Sequence, residues 1–320
     1  MSITKNRQNP GTLHTLAKAA FPDRQALGFT ELTEGMFNAA YRCEFADGTA
    51  CILKVAPGDA SGLLSNEVSL MRAEVSAMQL LREAGETFVP AVLFSDFSCT
   101  LCGSPYFFME VVPGGSVSSR MGTLPEDTVS AVMHEVGRLQ ARLSRIRGDR
   151  FGLGGDVCRF DTQAELVRYM LTNVLGDAAR VGLSFGFTQE ELLARLERDA
   201  ACFDEVRTPS LVHMDMWEGN IFVHEGRLSG VIDWERVLWG DPLMDDRFRW
   251  HNRPRAFLEG YGKTDFTPAE RRRLRWYDVY LQLTMLTESI YRQSEDEGMA
   301  RWLRQSLAEA WAELEAPAAE

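Results

Sequence analysis

The sequence has 320 residues and no apolar run near the ~18 residues needed to cross a bilayer, so no membrane-spanning helix is expected. The first segment, MSITKNRQNPGTLHTLAKAAF, carries basic residues but no long apolar stretch behind them, so no secretory leader is expected either. There is no basic stripe. The chain has 34 Lys and Arg against 46 Asp and Glu, a net charge of −12 and a pI near 5.0, which argues against a nucleic-acid partner. The one basic cluster, Arg271-Arg272-Arg273 with Arg275, opens a helical stretch beside Trp276 and is read as a solvated helix face. Cysteine is sparse. The six thiols, at 43, 51, 99, 102, 158 and 202, fit free cysteines in a cytoplasmic protein. Cys99-Thr-Leu-Cys102 is a lone CxxC, without the second pair or histidine that a structural zinc would want, and a reversible disulfide at a turn is its other meaning. No repeat and no low-complexity tract is present.

What remains is an ordinary globular composition, 45% hydrophobic and 25% charged, at a length that suggests two lobes. Residues 29–112 read as strands around one helix. Phe29–Thr33 alternates. Ala39–Phe45 and Thr49–Val55 flank Asp47-Gly48, a two-residue hairpin signal. Leu70, Met71, Ala77, Met78 and Leu81 give residues 65–84 a helical period. Strands follow at Ala91–Ser95 and Tyr106–Val112, and the second ends at Pro113-Gly114-Gly115, a hinge signal. Beyond it helices dominate, over 125–147, 161–182, 188–205, 267–293 and 297–315. They are interrupted by a second hairpin, Ile221–His224 and Leu228–Ile232 around Glu225-Gly226. The tail from Ala316 is expected to fray.

That second hairpin carries the chemistry. His213, Asp215 and Asn220 are polar groups between two apolar stretches, and Asp233 ends the returning strand. Paired strands lie about 5 Å apart, so Asn220 at the start of one can face Asp233 at the end of the other. An amide oxygen beside a carboxylate makes a hard-oxygen site suited to Mg²⁺. Asp215 sits one step further along, where a base for an attacking hydroxyl would be needed. Metal-bridged phosphates and a carboxylate that orients the nucleophile are what phosphoryl transfer requires.

His213-Met-Asp215 through Asn220, then Ile232-Asp233-Trp234-Glu235, then Gly240-Asp241-Pro242 with Asp245, resemble the aminoglycoside phosphotransferase and choline kinase superfamily, relatives of the protein kinases. That family's loops read H-G-D-x-x-x-x-N and I-D-W or I-D-F/W-E. Met214 stands where glycine is commonest, and Asp246-Arg247 where small or apolar residues are usual. The resemblance runs from about residue 29 to 250.

It implies an α+β, protein-kinase-like bilobal fold, with an N-lobe of antiparallel strands and one helix and a mainly helical C-lobe. The lobes would be a nucleotide-binding part over 1–112, a hinge over 113–117, and a catalytic and acceptor-binding part over 118–320. Such a fold needs a strand lysine for the α- and β-phosphates. Lys54 is the only lysine in its hairpin. A helix glutamate must position it. Glu74 lies on the apolar stripe of its helix, where a carboxylate needs a partner. Glu67 shares the stripe but falls in the first turn, where acids favour the helix dipole, so Glu74 is preferred. The loop Gly35-Met-Phe-Asn38-Ala-Ala-Tyr41 resembles the family's nucleotide-covering loop, placing Gly35 and Asn38 near phosphates, and the strand through Glu110 and Val112 would offer backbone groups to the adenine edge.

The expected activity is transfer of the γ-phosphoryl group of ATP or GTP, with Mg²⁺, to a hydroxyl of a small molecule. Asp215 would act as base, His213 as a brace, Lys54 and Glu74 on the nucleotide, and Asn220 and Asp233 on the metal. The acidic balance reads first as solubility; with Glu235, Glu288, Glu295 and Asp296 it also suits a cationic acceptor such as an aminoglycoside. The alternatives are a metabolic kinase of amino-alcohols, sugars or amino acids, and a nucleotide-binding pseudokinase. Against the last, Lys54, Asp215, Asn220 and Asp233 are all present. Against a protein kinase, no A-P-E-like segment follows and Trp234-Glu235 replaces Phe-Gly.

Overall fold

The computed structural model describes residues 5–35, 37–58 and 62–315. The chain opens with helix α1 (Pro10–Ala20), which starts where Asn9 accepts from Thr12 N–H at 2.9 Å and proline occupies the first turn. Strands β1 (Ala26–Leu32), β2 (Ala39–Phe45) and β3 (Ala50–Val55) follow, then helix α2 (Leu70–Glu83) and strands β4 (Val92–Asp96) and β5 (Tyr106–Glu110). They form one antiparallel five-stranded sheet in the order β1-β2-β3-β5-β4.

The period-two alternation of β3 decides what faces what. Cys51, Leu53 and Val55 pack under α1 with Leu13, Leu16 and Ala17. Ile52 joins the other core, with Met71 and Met78 of α2. Lys54 shares the Ile52 parity and therefore emerges on the α2 side of the sheet.

The chain then runs through Pro113 and Gly114 into β6 (Gly115–Ser116). This short strand pairs with β9 (Ile221–His224), so the strand following the N-lobe sheet is hydrogen-bonded into a C-lobe hairpin. Gly114, at φ +87°, lies so close to Val223 that a Cβ would strike its carbonyl. The rest is helical with small sheet pieces: α3 (Glu126–Leu143), β7 (Gly152–Leu153), α4 (Gln163–Arg180), α5 (Gln189–Arg198), β8 (Ser210–Val212), β9 paired with β10 (Arg227–Val231), β11 (Leu238–Gly240), α6 (Arg255–Tyr261), α7 (Pro268–Tyr291) and α8 (Glu297–Glu315). Capping boxes at Thr162/Glu165, Thr188/Glu191 and Thr267/Glu270 start α4, α5 and α7. The fold is α+β, an antiparallel N-lobe sheet with a mainly helical C-lobe.

Four details depart from the sequence reading. The helix expected from residue 65 begins only at Leu70, because 62–69 forms a strap pinned to the C-lobe. Ser65 N–H and Oγ donate to Asp177 at 2.8 and 2.7 Å, and Asn66 Nδ2 donates to the Met170 carbonyl at 3.1 Å. The helix expected over 188–205 ends at Arg198 and continues as a 3₁₀ turn over Ala200–Phe203. Helices α1 and α6 were not foreseen. The basic cluster on α7 is not a solvated face. Arg272 and Arg273 are buried, with Arg272 Nε 2.7 Å from Asp199 and Arg273 Nε 2.8 Å from Asp241. Among the described residues no helix is long and apolar enough to cross a membrane, and all six cysteines are free.

Candidate active site

Lys54 reaches out of the sheet into a pair of carboxylates. Its Nζ lies 2.7 Å from both Glu74 oxygens and 2.8 Å from Asp233 Oδ1. Glu74 is fully buried on the Met71–Met78–Leu81 stripe of α2, so helical periodicity aims it at the sheet, and the strand's parity aims Lys54 back at it. Burial alone would lower the lysine's pKa, but Asp233 and Glu74 beside it hold it above its usual value. Burial also works against charge on Asp233, and Lys54 more than offsets it, leaving that carboxyl below the usual range. Burial pushes Glu74 upward, opposed by Lys54. Glu67 does not touch Lys54. It pairs with Arg236 at 3.0 Å and with Arg292, and Arg236 and Arg292 both pair with Glu288.

The β9–β10 hairpin brings the other polar groups to the same place. Val231 pairs with Ile221, and Ile232 N–H donates to the Asn220 carbonyl at 3.0 Å, which sets Asp233 one residue beyond the ladder. Asn220 Nδ2 donates to the Asp215 carbonyl at 2.8 Å and to Asp215 Oδ2 at 3.1 Å. His213 is fully buried. Asp215 N–H donates to His213 Nδ1 at 3.2 Å, so the ring proton is placed on Nε2, which donates to the Ile232 carbonyl at 3.0 Å. Burial lowers the His213 pKa to about 4, so the ring is neutral at neutral pH. Burial pushes Asp215 up to about 8; Arg236 opposes this, and Asp233, Asp246 and Glu288 add to it.

Two residues here hold left-handed backbones without being glycine: Met214 at φ +71° and Asp233 at φ +67°. Each costs on the order of 1–3 kcal/mol and persists only where neighbours over-determine it. For Met214 the neighbour is Asp245, whose Oδ2 accepts Met214 N–H at 3.1 Å while Oδ1 accepts Arg247 N–H at 3.0 Å. Asp241, four positions earlier in the same turn, accepts from Arg273 Nε at 2.8 Å and Tyr277 Oη at 3.0 Å and so fastens the loop to α7. The conformation at Met214 supplies a physical reason for glycine to be common at that position.

Glu74, Asp233 and Glu235 offer carboxylate oxygens that all lie within 4.8 Å of one another. Glu74 is occupied by Lys54, which leaves Asp233 Oδ2 and Glu235. The Asn220 amide spends its N–H groups on Asp215, so its oxygen is the group left to meet a cation. This set of hard oxygen donors fits Mg²⁺. Glu235 is the addition that the sequence reading did not make for the metal. It is buried, its carboxyl is pushed well up by burial and by Asp233, and its Oε2 accepts from Asn38 Nδ2 at 2.6 Å. Asn38 thus ties the loop between β1 and β2, which also carries Gly35, to the turn after Asp233. Glu110 ends β5 and is exposed, and Val112 packs its side chain against Gly230 of β10. Arg236 was likewise missed. Only its place two residues after the I-D-W motif could have flagged it.

A kinase-like fold carrying a strand lysine, a helix glutamate and a hairpin of carboxylates defines a class, and comparison with known proteins gives the family. The phosphotransferase enzyme family matches residues 28–277, and the chain belongs to it. No curated protein matches the chain. Among solved structures, it is similar to the aminoglycoside phosphotransferase APH(4)-Ia in a ternary complex with ADP and hygromycin B, with a TM-score of 0.65 and 18% identity over 97% of this chain and 100% of that one. It is also similar to APH(2″)-IIa in a ternary complex with streptomycin and ATP, with a TM-score of 0.62 and 18% identity over 96% and 99% of the two chains. A GDP complex of aminoglycoside 2′-phosphotransferase-IIIa gives a TM-score of 0.63 and 17% identity over 95% and 98%.

Proposed function

We propose that this protein transfers the γ-phosphoryl group of a nucleoside triphosphate to a hydroxyl group of a small molecule. The observation that carries the reading is Lys54, held at 2.7–2.8 Å between Glu74 and Asp233, in a cluster that also contains the Asp215–Asn220 pair. A buried lysine with two carboxylate partners is a costly arrangement for stability alone. It is the arrangement expected of a group that must meet triphosphate oxygens in a fixed place.

In this reading Lys54 binds the α- and β-phosphates, and Glu74 keeps its ammonium aimed. Gly35 and Asn38 lie over the phosphates, and the backbone from Glu110 to Val112 meets the adenine or guanine edge. The chain divides functionally into a nucleotide-binding part through residue 112, a hinge over 113–117 and a catalytic and acceptor-binding part beyond. Mg²⁺, when bound by Asp233, Asn220 and Glu235, neutralises phosphate charge. Asp215 aligns the acceptor hydroxyl and takes its proton. The acceptor oxygen forms a bond to the γ-phosphorus as the bond from phosphorus to the β–γ bridging oxygen breaks, and the electron pair leaves with the nucleoside diphosphate. His213, neutral and hydrogen-bonded on both nitrogens, positions the loop and moves no proton.

For the acceptor, aminoglycosides are the compounds named with the structural neighbours, and a metabolic alcohol is the other class. Of the acids that would greet a cation, Glu235 is engaged with Asn38 and Glu288 with Arg236 and Arg292, while Glu295 and Asp296 are exposed. The test is release of nucleoside diphosphate by the full chain, matched mole for mole by phosphorylated acceptor. Nucleotide binding with no turnover on any acceptor would make the protein a pseudokinase and end this reading.

A further inference from the structure

Beside Asp215 lies a cleft that opens to solvent. Its walls come from the strap ahead of α2, from β7, from α4, from the turn after Asp233 and from α7. It shares Asp215 and Glu235 with the polar cluster described above, so a molecule filling it would present its groups to the proposed base.

The walls are mainly apolar. Leu64 and Val68 of the strap, Met170 and Val174 of α4, Leu238 of β11 and Leu281 of α7 all line it. The charged side chains in the wall are already matched. Glu67 pairs with Arg236 and Arg292, Arg236 pairs also with Glu288, and Glu235 accepts from Asn38. This leaves Asp215 as the one carboxylate of the lining without a cationic or amide partner from another element. Bringing several ammonium groups into such walls would cost several kcal/mol per ion without a compensating partner. The polar groups that remain are neutral: Asn66 of the strap, and Tyr280 and Thr284, one turn apart on α7. Tyr280 Oη accepts from Asn66 Nδ2 at 3.3 Å and lies within reach of the buried Thr284 hydroxyl. Neutral hydroxyls at the wall suit a neutral polar group on the ligand.

Met214 is the second observation. It sits in the left-handed region at φ +71°, held there by Asp245, and its side chain lines the same cleft next to Asp215. Glycine would hold that backbone at no steric cost, but would leave the wall open beside the base.

Resting on the phosphotransfer reading, we propose that the acceptor is an uncharged hydroxyl compound with a compact apolar body, bound in this cleft, and that Met214 is a specificity-determining residue forming the wall nearest Asp215. The cleft selects by burial of apolar surface, with Tyr280 and Thr284 fixing orientation through one neutral polar contact.

The test is nucleoside diphosphate release by the full chain with Mg-ATP and Mg-GTP. One set of acceptors is neutral alcohols with cyclic or branched apolar bodies; the other is kanamycin, streptomycin and hygromycin B. The expected result is turnover of neutral alcohols and none of the aminoglycosides. Met214→Gly is expected to fold at least as stably as wild type, to keep its nucleotide KM, and to raise the alcohol KM by about 10-fold, as loss of one well-packed apolar side chain implies. Val68→Asp, at an exposed edge of the cleft, is expected to raise the alcohol KM as well. Higher kcat/KM for an aminoglycoside than for every neutral alcohol overturns the proposal and leaves phosphotransfer standing. So does alcohol turnover indifferent to both substitutions. Absence of acceptor-dependent diphosphate release throughout removes both readings together.

Discussion

Replacing Glu74 with glutamine tests how the nucleotide site is held. Both Glu74 oxygens lie 2.7 Å from Lys54 Nζ, and the carboxylate is fully buried. Glutamine keeps one acceptor oxygen and turns an N–H₂ group toward an ammonium, so about one charge-assisted hydrogen bond is lost, on the order of 1.5–3 kcal/mol. Lys54 keeps Asp233 at 2.8 Å, so its charge is not stranded, and the fold should survive. The lysine is then drawn toward Asp233 and away from the phosphates. Mg-nucleotide affinity, measured by calorimetric titration, should fall roughly 10- to 100-fold. Glu67→Gln is the control. It disturbs the pairing with Arg236 and Arg292, and should lower the urea midpoint with little effect on nucleotide affinity. If Glu67→Gln weakens nucleotide binding and Glu74→Gln does not, the positioning argument is wrong.

His213 predicts a pH effect on stability. The folded state keeps its ring neutral, with a pKa near 4, while the unfolded chain takes up a proton near 6.5. Stability present above pH 6.5 is therefore lost as pH falls toward 4, by roughly 2 kcal/mol between pH 7 and pH 5. Because buried acids such as Asp215 shift stability the opposite way, the quantity to measure is the difference between wild type and His213→Gln in urea unfolding at the two pH values; a difference that stays constant contradicts the neutral-ring assignment. The crossing of α3 and α6 makes a second prediction. A Cβ at Gly260 would meet the His134 carbonyl well inside van der Waals contact, and one at Gly137 would meet that of Phe257. Gly260→Ala should cost about 1–3 kcal/mol, read from the shift in urea midpoint, and an unchanged midpoint would mean that the helices do not pack this closely. Arg236→Met should leave Glu67 and Glu288 sharing Arg292 alone and cost about 3 kcal/mol or more by the same assay; a neutral result would show the ionic ring to be dispensable.

The helical periods of α2, α3, α4 and α8 are visible in the sequence because each buries a stripe, and β2 and β3 because Asp47-Gly48 marks the turn between them. Strands β6, β7, β8 and β11 have two or three residues each, too few for any period to show. Helix α1 carries a start signal in the sequence, Asn9 followed by Pro10. In the site, Glu74, Asp215, Asn220 and Asp233 are polar residues at apolar or strand-end positions, and Lys54 is legible through the family resemblance, which requires a strand lysine. Glu235 and Arg236 do not stand out, because their partners Asn38, Glu67 and Glu288 are distant in sequence. The same blindness made Arg272 and Arg273 look solvated and made Glu235 and Glu288 look available to a cationic acceptor. Pairing across a fold leaves no trace in local spacing.

In the proposed mechanism Asp215 serves phosphoryl transfer in a site that binds nucleotide without it. The direct measurement compares Asp215→Asn with wild type for kcat of nucleoside diphosphate release and, in the same preparation, for Mg-nucleotide affinity. The expected result is a fall in kcat of about 10²–10⁴-fold, the usual worth of a positioned base, with nucleotide affinity nearly unchanged. Wild-type turnover by Asp215→Asn would contradict it.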